Sequence, residues 1–372
     1  VIIDAIFGTG IKGVVDKKVR NIFESINNSS NIVVSIDLPS GLGNDFENST
    51  ECPVNANYSF AIEFPKLSLL LIKNGKFSGK LKVIKAGIYN TEALTKKINY
   101  TYVDSDFIKT IEFKRDLFTH KGNYGHTLLI CGGEGMTGAA VLATAAALRS
   151  GCGLVSIHIS KNESSVIHIT NPSAIVSIDP SDHFSISPQN TEKYDSIGVG
   201  CGIGKRPDTF SALYELIESY NKPMVIDADA INLLASNPDL HLKIPKNSIF
   251  TPHPGELERF LGDWKTEQEK FEMVKNYCIQ SGNFMVVKGA YSQIFTPKGD
   301  IYVNSTGTPG MAKGGSGDAL SGLISGLLAR GLNPLDAAIF GVYIHGKAGE
   351  EAAEKKGIES MNSRDIIDYI KF

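Results

Sequence analysis

Short unbroken runs of β-branched and other apolar residues recur along this chain, each bounded by Gly, Pro or Asp and followed by a helical pattern. They read as strands over 31–36, 127–130, 154–159, 196–199, 223–226 and 284–287. A strand that is apolar at every position, rather than at alternate ones, is covered on both faces, as in parallel sheets layered between helices. The segments between them suit that arrangement. Residues 139–149 and 318–329 are amphipathic or rich in small side chains and are expected to be helices. The fold class expected is α/β, and no internal repeat or low-complexity tract interrupts the pattern.

At 372 residues the chain has room for two such domains, each with its own core. The best boundary lies between 85 and 118. Lys85-Ala86-Gly87-Ile88 closes one block, 89–115 is polar and mixed, and a new Gly-punctuated strand–loop–helix starts at His120. We read domains at 1–95 and 105–372, sizes usual for domains. The net charge is −3 with both signs interspersed. No basic field suits nucleic acid or an anionic membrane, so the partners expected are small molecules. Cys52, Cys131, Cys152, Cys201 and Cys278 are scattered, with no CxxC among them. They read as reduced thiols of a cytoplasmic protein, with neither a disulfide framework nor a zinc site. The longest apolar run, near Ser68–Ile72, is far too short to span a bilayer. Val1–Ile6 already resembles the inside of a buried strand, so the chain is expected to be the remainder of a longer one.

The sharpest local signal is Thr308–Asp318, running into the helix that follows. Glycines at 314, 315 and 317 let the backbone bend so that successive N–H groups point into one concavity, and the helix start adds its positive dipole end. That is a seat for phosphate oxygens, with Asp318 at its rim to accept a proton. The plainer alternative is a Gly-rich turn with Asp318 as an N-cap. Other candidates sit at predicted strand ends, where open α/β sheets bind ligands. His253 lies between two prolines, Lys288-Gly289 forms a turn, Asp227 and Asp229 follow an apolar run, and 198–204 is glycine-rich. Each has a structural alternative: a rigid turn, a plain turn, a helix cap or a loop. Gly133–Gly138 fits the GxGxxG dinucleotide pattern, a weak signal alone.

Taken in order, His120–Gly133, Met136–Val155, Val199–Gly204, Val225–Ala235, Thr251–Gly262, Val286–Ile294, Asn304–Gly331 and Gly341–Ala353 resemble the ADP/ATP-dependent NAD(P)H-hydrate dehydratase family. The resemblance covers nearly all of 120–372 and implies a ribokinase-like three-layer αβα domain. It implies repair of hydrated NADH or NADPH with ADP or ATP and Mg²⁺, by phosphoryl transfer to the ring hydroxyl and then elimination. Under it Asp318 is the base facing that hydroxyl. Gly317 with Lys288, Gly289, Ala290, Tyr291 and Ser292 lines the adenine nucleotide. Ala139, Gly202, His253 and Asp318 contact the hydrated dinucleotide, the Gly314, Gly315, Ser316 and Gly317 backbone forms an anion hole, and Glu256 helps place Mg²⁺. Cys201 departs from the Pro usual in the family, and Ser292 from the common Thr.

Asp4–Val14 reads as strand and Gly-rich loop, and Ser35–Gly41 as strand, acid and Pro-Ser-Gly turn. Together they resemble the second half of an NAD(P)H-hydrate epimerase domain, implying a partial Rossmann-like αβα domain ahead of the first. By that match Asp4 and Ser40 are K⁺ ligands and Asp37 is the acid/base and a substrate contact. Gly8, Thr9, Gly10, Ile11, Lys12, Gly13 and Val14 hold the dinucleotide phosphates. The family's first half has no counterpart in this sequence, so 1–90 is expected to expose sheet edge and apolar surface. The fusion suggests ADP as donor, and such folds often form homo-oligomers. The alternatives are a vitamin or sugar-alcohol kinase of the ribokinase-like superfamily, an oxidoreductase built on Gly133–Gly138, and a non-catalytic nucleotide-binding protein.

Overall fold

The computed structural model describes residues 1–9, 15–46, 48, 50–87 and 100–372. They form two compact units, Val1–Tyr102 with Thr266–Glu269, and Val103–Lys265 with Lys270–Phe372.

The first unit has four parallel strands in spatial order: β1 (Ile2–Asp4), β2 (Val33–Ile36), β3 (Tyr58–Ile62) and β4 (Lys80–Ile84). Helix Lys17–Asn27 is capped by Asp16, whose carboxylate accepts from Lys18 N. It buries Phe23 with Val15, Val33 and Val54. A second cluster gathers Leu38, Leu42, Ala61, Leu69 and Phe77. The outer strands look different. β4 alternates, with Lys80, Lys82 and Ile84 outward, and lysines on an edge discourage further pairing. β1 leaves Ile3 68% exposed beside Val1 at 80%, the apolar sheet edge expected from the sequence.

The second unit is built on a ten-stranded sheet of order β5-β14-β13-β12-β11-β10-β9-β6-β7-β8. Its strands are β5 (Thr101–Val103, of which only Val103 belongs to this unit), β6 (His126–Ile130), β7 (Leu154–Ser160), β8 (Ile175–Asp179), β9 (Ser196–Val199), β10 (Met224–Ile226), β11 (Ile249–Phe250), β12 (Phe284–Val287), β13 (Gln293–Phe295) and β14 (Ile301–Asn304). Every residue of β9, β10 and β12 is buried, which requires cover on both faces and agrees with the unbroken apolar runs. β12 through β8 are mutually parallel, while β13 runs antiparallel to both its neighbours, β12 and β14. The connections there are only a few residues long: Thr296 N bonds to Asp300 O at 3.0 Å around Gly299 (φ +84°). No helical crossover fits in such a turn, so the strand must double back.

The expected helices are present and begin slightly earlier, at Thr137–Arg149 and Ser316–Ala329. Their small residues serve contact. A Cβ on Gly322 would lie 2.0 Å from the Ala143 carbonyl oxygen, and one on Gly326 2.1 Å from Ser150 Oγ, so only glycine lets these backbones touch. That packing fixes the start of helix Ser316–Ala329 against the helix carrying Ala139.

Candidate active site

Five parallel neighbours, β6, β9, β10, β11 and β12, end on the same edge of the sheet. The loops leaving them carry Gly132, Cys201, Asp227, His253 and Lys288. The glycine run 314–317 opens the helix that packs beneath. Its N-cap is Gly315, in the left-handed region at φ +88°, where a Cβ would also strike Leu142 Cδ1 at 2.4 Å. No side chain caps this helix, so Asp318 in its first turn is not the N-cap of the plainer reading; of the leading amides, Ser316 N turns back to Lys313 O at 3.4 Å. The loop is held from outside. Ser363 Oγ donates to Gly314 O at 2.6 Å, and Lys313 Nζ donates to Glu359 O and Met361 O, both at 2.6 Å. Lys313 is thereby spent on carbonyls.

Asp318 is half-buried. Burial pushes its carboxyl above the usual carboxylate range; Asp227 and Asp229 push the same way, against partial opposition from the Cys201 thiol and Lys288. Lys288 sits across from it. Its Nζ donates to Asp227 Oδ1 at 2.8 Å and lies 3.9 Å from Glu256 Oε2. Burial alone would lower the ammonium, but the charges of Asp227 and Glu256 outweigh it and hold its pKa above the ordinary lysine value. A Cβ on Gly317 would stand 3.3 Å from Lys288 Nζ and 3.8 Å from Asp227 Oδ2, so bare backbone at 317 gives the cation its room.

Asp227 is the hub that sequence reading left open. It caps helix Ala228–Ala235 through Ala228 N at 2.8 Å, and it also accepts from Lys288 and from Ser321 Oγ. The helix cap of the plainer reading is present, and the same carboxylate also carries the ion pair with Lys288. Cys201 Sγ lies 3.8 Å from Asp227 Oδ2; the neighbouring Cys131 thiol, burial and Asp227 push its pKa well above the thiol range, so it stays protonated. Ser321 went unnoticed because a serine inside a Gly/Ala-rich helix carries no local signal. Asp229 Oδ2 takes Gly204 N at 3.0 Å and so fixes the 200–204 loop.

Ala139 and Gly202 come together, since a Cβ on Gly202 (φ +69°) would sit 3.4 Å from Ala139 Cβ. His253 caps helix Pro254–Leu261: Nδ1 accepts from Gly255 N and Glu256 N at 3.0 and 3.3 Å, and Glu256 Oε2 takes His253 N at 2.9 Å. Its ring is still 51% exposed. Gly289 and Ala290 are exposed, Tyr291 and Ser292 half-buried, and Ser292 Oγ closes the turn with Gly289 N at 3.3 Å.

In the first unit Asp4 is fully buried. Its Oδ2 takes Ser35 Oγ and Ser40 N, each at 2.8 Å, and its Oδ1 takes Ser40 Oγ at 2.6 Å. Ser40 Oγ is also 2.9 Å from Phe7 N and 3.3 Å from Phe7 O. Asp37, left-handed at φ 67°, accepts from Ile62 N at 3.1 Å and pairs with Lys66. Lys66 was missed, because it stands alone after a turn with no motif around it. Gly8 and Thr9 are exposed. Gly10, Ile11, Lys12, Gly13 and Val14 lie outside the described residues. Among the described residues no cluster of three or more His, Cys, Asp or Glu is arranged to hold a metal ion, and no helix is long and apolar enough to cross a membrane.

Residues 127–371 match the family model described as NAD(P)H-hydrate dehydratase, and residues 1–68 that of the YjeF-related protein N-terminus. The chain belongs to the NAD(P)H-hydrate dehydratase family. It is 33% identical to the bifunctional NAD(P)H-hydrate repair enzyme Nnr of Moorella thermoacetica, over all of this chain and 72% of that protein. With the Escherichia coli enzyme of the same name it shares 30% identity, over all of this chain and 70% of that one. Among solved structures it is similar to the ADP/ATP-dependent NAD(P)H-hydrate dehydratase of Bacillus subtilis, co-crystallised with ATP/Mg²⁺. That likeness has a TM-score of 0.66 and 30% identity, and covers 74% of this chain and 97% of the other. A ribokinase-like superfamily protein from Enterococcus faecalis matches with the same TM-score at 26% identity, covering 73% and 94%. The three-layer ribokinase-like reading of the larger unit stands.

Proposed function

We propose that this chain returns hydrated NADH or NADPH to the usable dinucleotide at the expense of ADP or ATP. The observation that carries the reading is a helix start with no side-chain cap and glycine at 314, 315 and 317, with Asp318 in its first turn and the Lys288 ammonium 3.3 Å from where a Gly317 Cβ would stand. The seat's amides hold the transferring phosphoryl group and Lys288 balances its charge. Asp318 accepts the proton of the ring hydroxyl as that oxygen bonds to phosphorus and the bond to the nucleotide's leaving phosphate oxygen breaks. Phosphate then leaves the ring with the bonding pair, and loss of a ring proton restores the double bond. Ala139, Gly202 and the exposed His253 ring contact the dinucleotide, and Lys288–Ser292 line the adenine nucleotide.

When bound, Mg²⁺ would neutralise negative charge on the phosphates during the transfer. Both Glu256 oxygens are engaged around the His253 cap, which suits this carboxylate to metal-bound water rather than to the ion itself. In the first unit the oxygens of Asp4, Ser40 and Phe7 converge, a hard donor set that suits K⁺. The Asp37–Lys66 pair supplies an acid/base group for epimerising the hydrate.

The test is purified protein with hydrated NADH, Mg²⁺ and ADP or ATP, followed by the absorbance of the reduced nicotinamide. Recovery dependent on one nucleotide supports the reading. No recovery, together with phosphorylation of a small vitamin or sugar alcohol, would make the chain a kinase.

A further inference from the structure

His183 stands between two acids, on the loop that leaves β8. Its Nδ1 is 2.5 Å from Asp182 Oδ1 and its Nε2 2.7 Å from Asp208 Oδ2, with the side chain 12% exposed. Two carboxylate oxygens at these distances need two N–H donors, and a neutral imidazole has only one. The geometry therefore calls for the imidazolium. Burial, the largest influence, favours the neutral ring, and Arg206 works in the same direction. The two carboxylates outweigh both and hold the pKa above the ordinary histidine value.

The charged ring ties two elements together beside the dinucleotide pocket. Asp208 lies in the first turn of helix Pro207–Ser219, shortly after the 200–204 loop. Asp182 belongs to the loop after β8, whose base is fastened separately. Asp179 accepts there from Ser181 N at 3.0 Å, Ser185 N at 2.8 Å and Ser185 Oγ at 2.7 Å. Arg206 Nη1 also donates to Asp182 Oδ1 at 3.2 Å. From this loop the contacts run into the site. Asp182 O accepts from Glu134 N at 3.0 Å. A Cβ on Gly133 would lie 3.7 Å from His183 Cα and 3.4 Å from Gly202 O, and Gly202 in turn faces Ala139. The charged groups facing the ring are Asp182, Asp208 and Arg206, while Glu134 meets the loop through its backbone N–H.

We propose that His183 is a positioning residue for the hydrated dinucleotide: as a charged bridge between Asp182 and Asp208 it braces the loop against Gly133 and Glu134, and so holds the Gly202–Ala139 wall in its binding position. The inference rests on the dehydratase reading. Asp179 keeps the loop folded without the bridge, so what His183 adds is the placing of the wall. Loss of the ring proton leaves one donor for two carboxylates. The bridge is complete below the ordinary histidine value of about 6.5 and is lost as pH rises through the raised folded pKa.

The test follows wild type, His183→Gln and Asp208→Asn from about pH 6 to about pH 9. Affinity for hydrated NADH without nucleotide is measured by calorimetry, with turnover, ADP affinity and thermal midpoint alongside. Wild type should lose about fivefold in hydrate affinity across one alkaline step, while ADP affinity stays within twofold. His183→Gln should bind the hydrate about fivefold more weakly at the acid end and show no step, with kcat and ADP affinity within twofold of wild type. Asp208→Asn removes one of the charges that hold the proton, so its step should move to lower pH. A flat wild-type affinity, a step that survives in His183→Gln, or one that stays put in Asp208→Asn overturns the proposal. A His183→Gln protein that loses midpoint, kcat and ADP affinity together marks the histidine as structural and also overturns it. Wild type that binds the hydrate but turns none over with ADP or ATP sinks the dehydratase reading alone, since the pH pattern of binding still decides the role of His183. Wild type that binds no hydrate sinks both.

Discussion

Lys288 Nζ lies 2.8 Å from Asp227 Oδ1, joining the ends of β12 and β10 through an ion pair whose carboxylate is almost wholly out of water. Neither charge is there without the other. Lys288→Met strands Asp227 with its capping and Ser321 bonds but no counter-charge, and breaking a buried pair in this way costs about 3–5 kcal/mol. Chemical denaturation should show that loss, and calorimetry should show weakened ADP binding. Adding Asp227→Asn should restore much of the stability and none of the binding. A stable Lys288→Met protein that still binds ADP would remove Lys288 from the site.

Gly317→Ala separates helix stability from site geometry. The position is helical, and alanine is a better helix former by about 1 kcal/mol, so the thermal midpoint should hold or rise. The new Cβ stands 3.3 Å from an ammonium already fixed by Asp227. KM for ADP should rise about tenfold, which corresponds to about 1.4 kcal/mol of lost binding. Steady-state kinetics at varied ADP would check it, and an unchanged KM would contradict the crowding argument.

Asp4→Asn probes the first unit. Its carboxylate oxygens take Ser35 Oγ, Ser40 N and Ser40 Oγ, and an amide group cannot accept from all three donors. Leaving a buried donor unsatisfied costs about 1–3 kcal/mol. The unfolding transition of this unit should fall accordingly, and any dependence of epimerisation on K⁺ should disappear. Ser40→Ala should reproduce the ion effect.

The raised carboxyl of Asp318 predicts a trade between stability and activity. A folded-state pKa above the unfolded one means the folded protein holds this proton more tightly. The stabilisation is full below the ordinary aspartate value and is lost as pH rises through the folded pKa. At neutral pH the ionised group is therefore a burden. Asp318→Asn should raise the thermal midpoint there, with the advantage fading in acid. The base works only when ionised, so the acid limb of kcat in wild type should lie above the ordinary carboxylate range. Thermal melts of both proteins across pH, with a pH–rate profile of wild type, test both statements.

Much of this arrangement could be read from the residues. Unbroken apolar runs gave the parallel strands because full burial on two faces leaves no room for alternation, as β9 and β12 bear out. The β13–β14 hairpin was not foreseen: three- and four-residue strands carry too little pattern, and only the short turn at Gly299 marks it. Asp318, Lys288 and Gly317 could be singled out as candidates because glycine and charge at strand ends and helix starts have few other uses. Ser321, Lys66 and the hub role of Asp227 were hidden, since each depends on a partner brought near only by the fold, Ser321 and Asp227 being 94 positions apart. His253 shows the limit from the other side, because its helix cap is a local contact that the sequence equally allowed.

The most direct test compares Asp318→Asn with wild type in ADP-dependent recovery of reduced nicotinamide from hydrated NADH, with ADP binding measured in parallel. Removing a general base should lower kcat by about 10²–10⁴ while ADP still binds within a few-fold of wild type. Turnover within tenfold of wild type would show that the carboxylate beside the glycine seat does not move the proton, and the account of the site would fail.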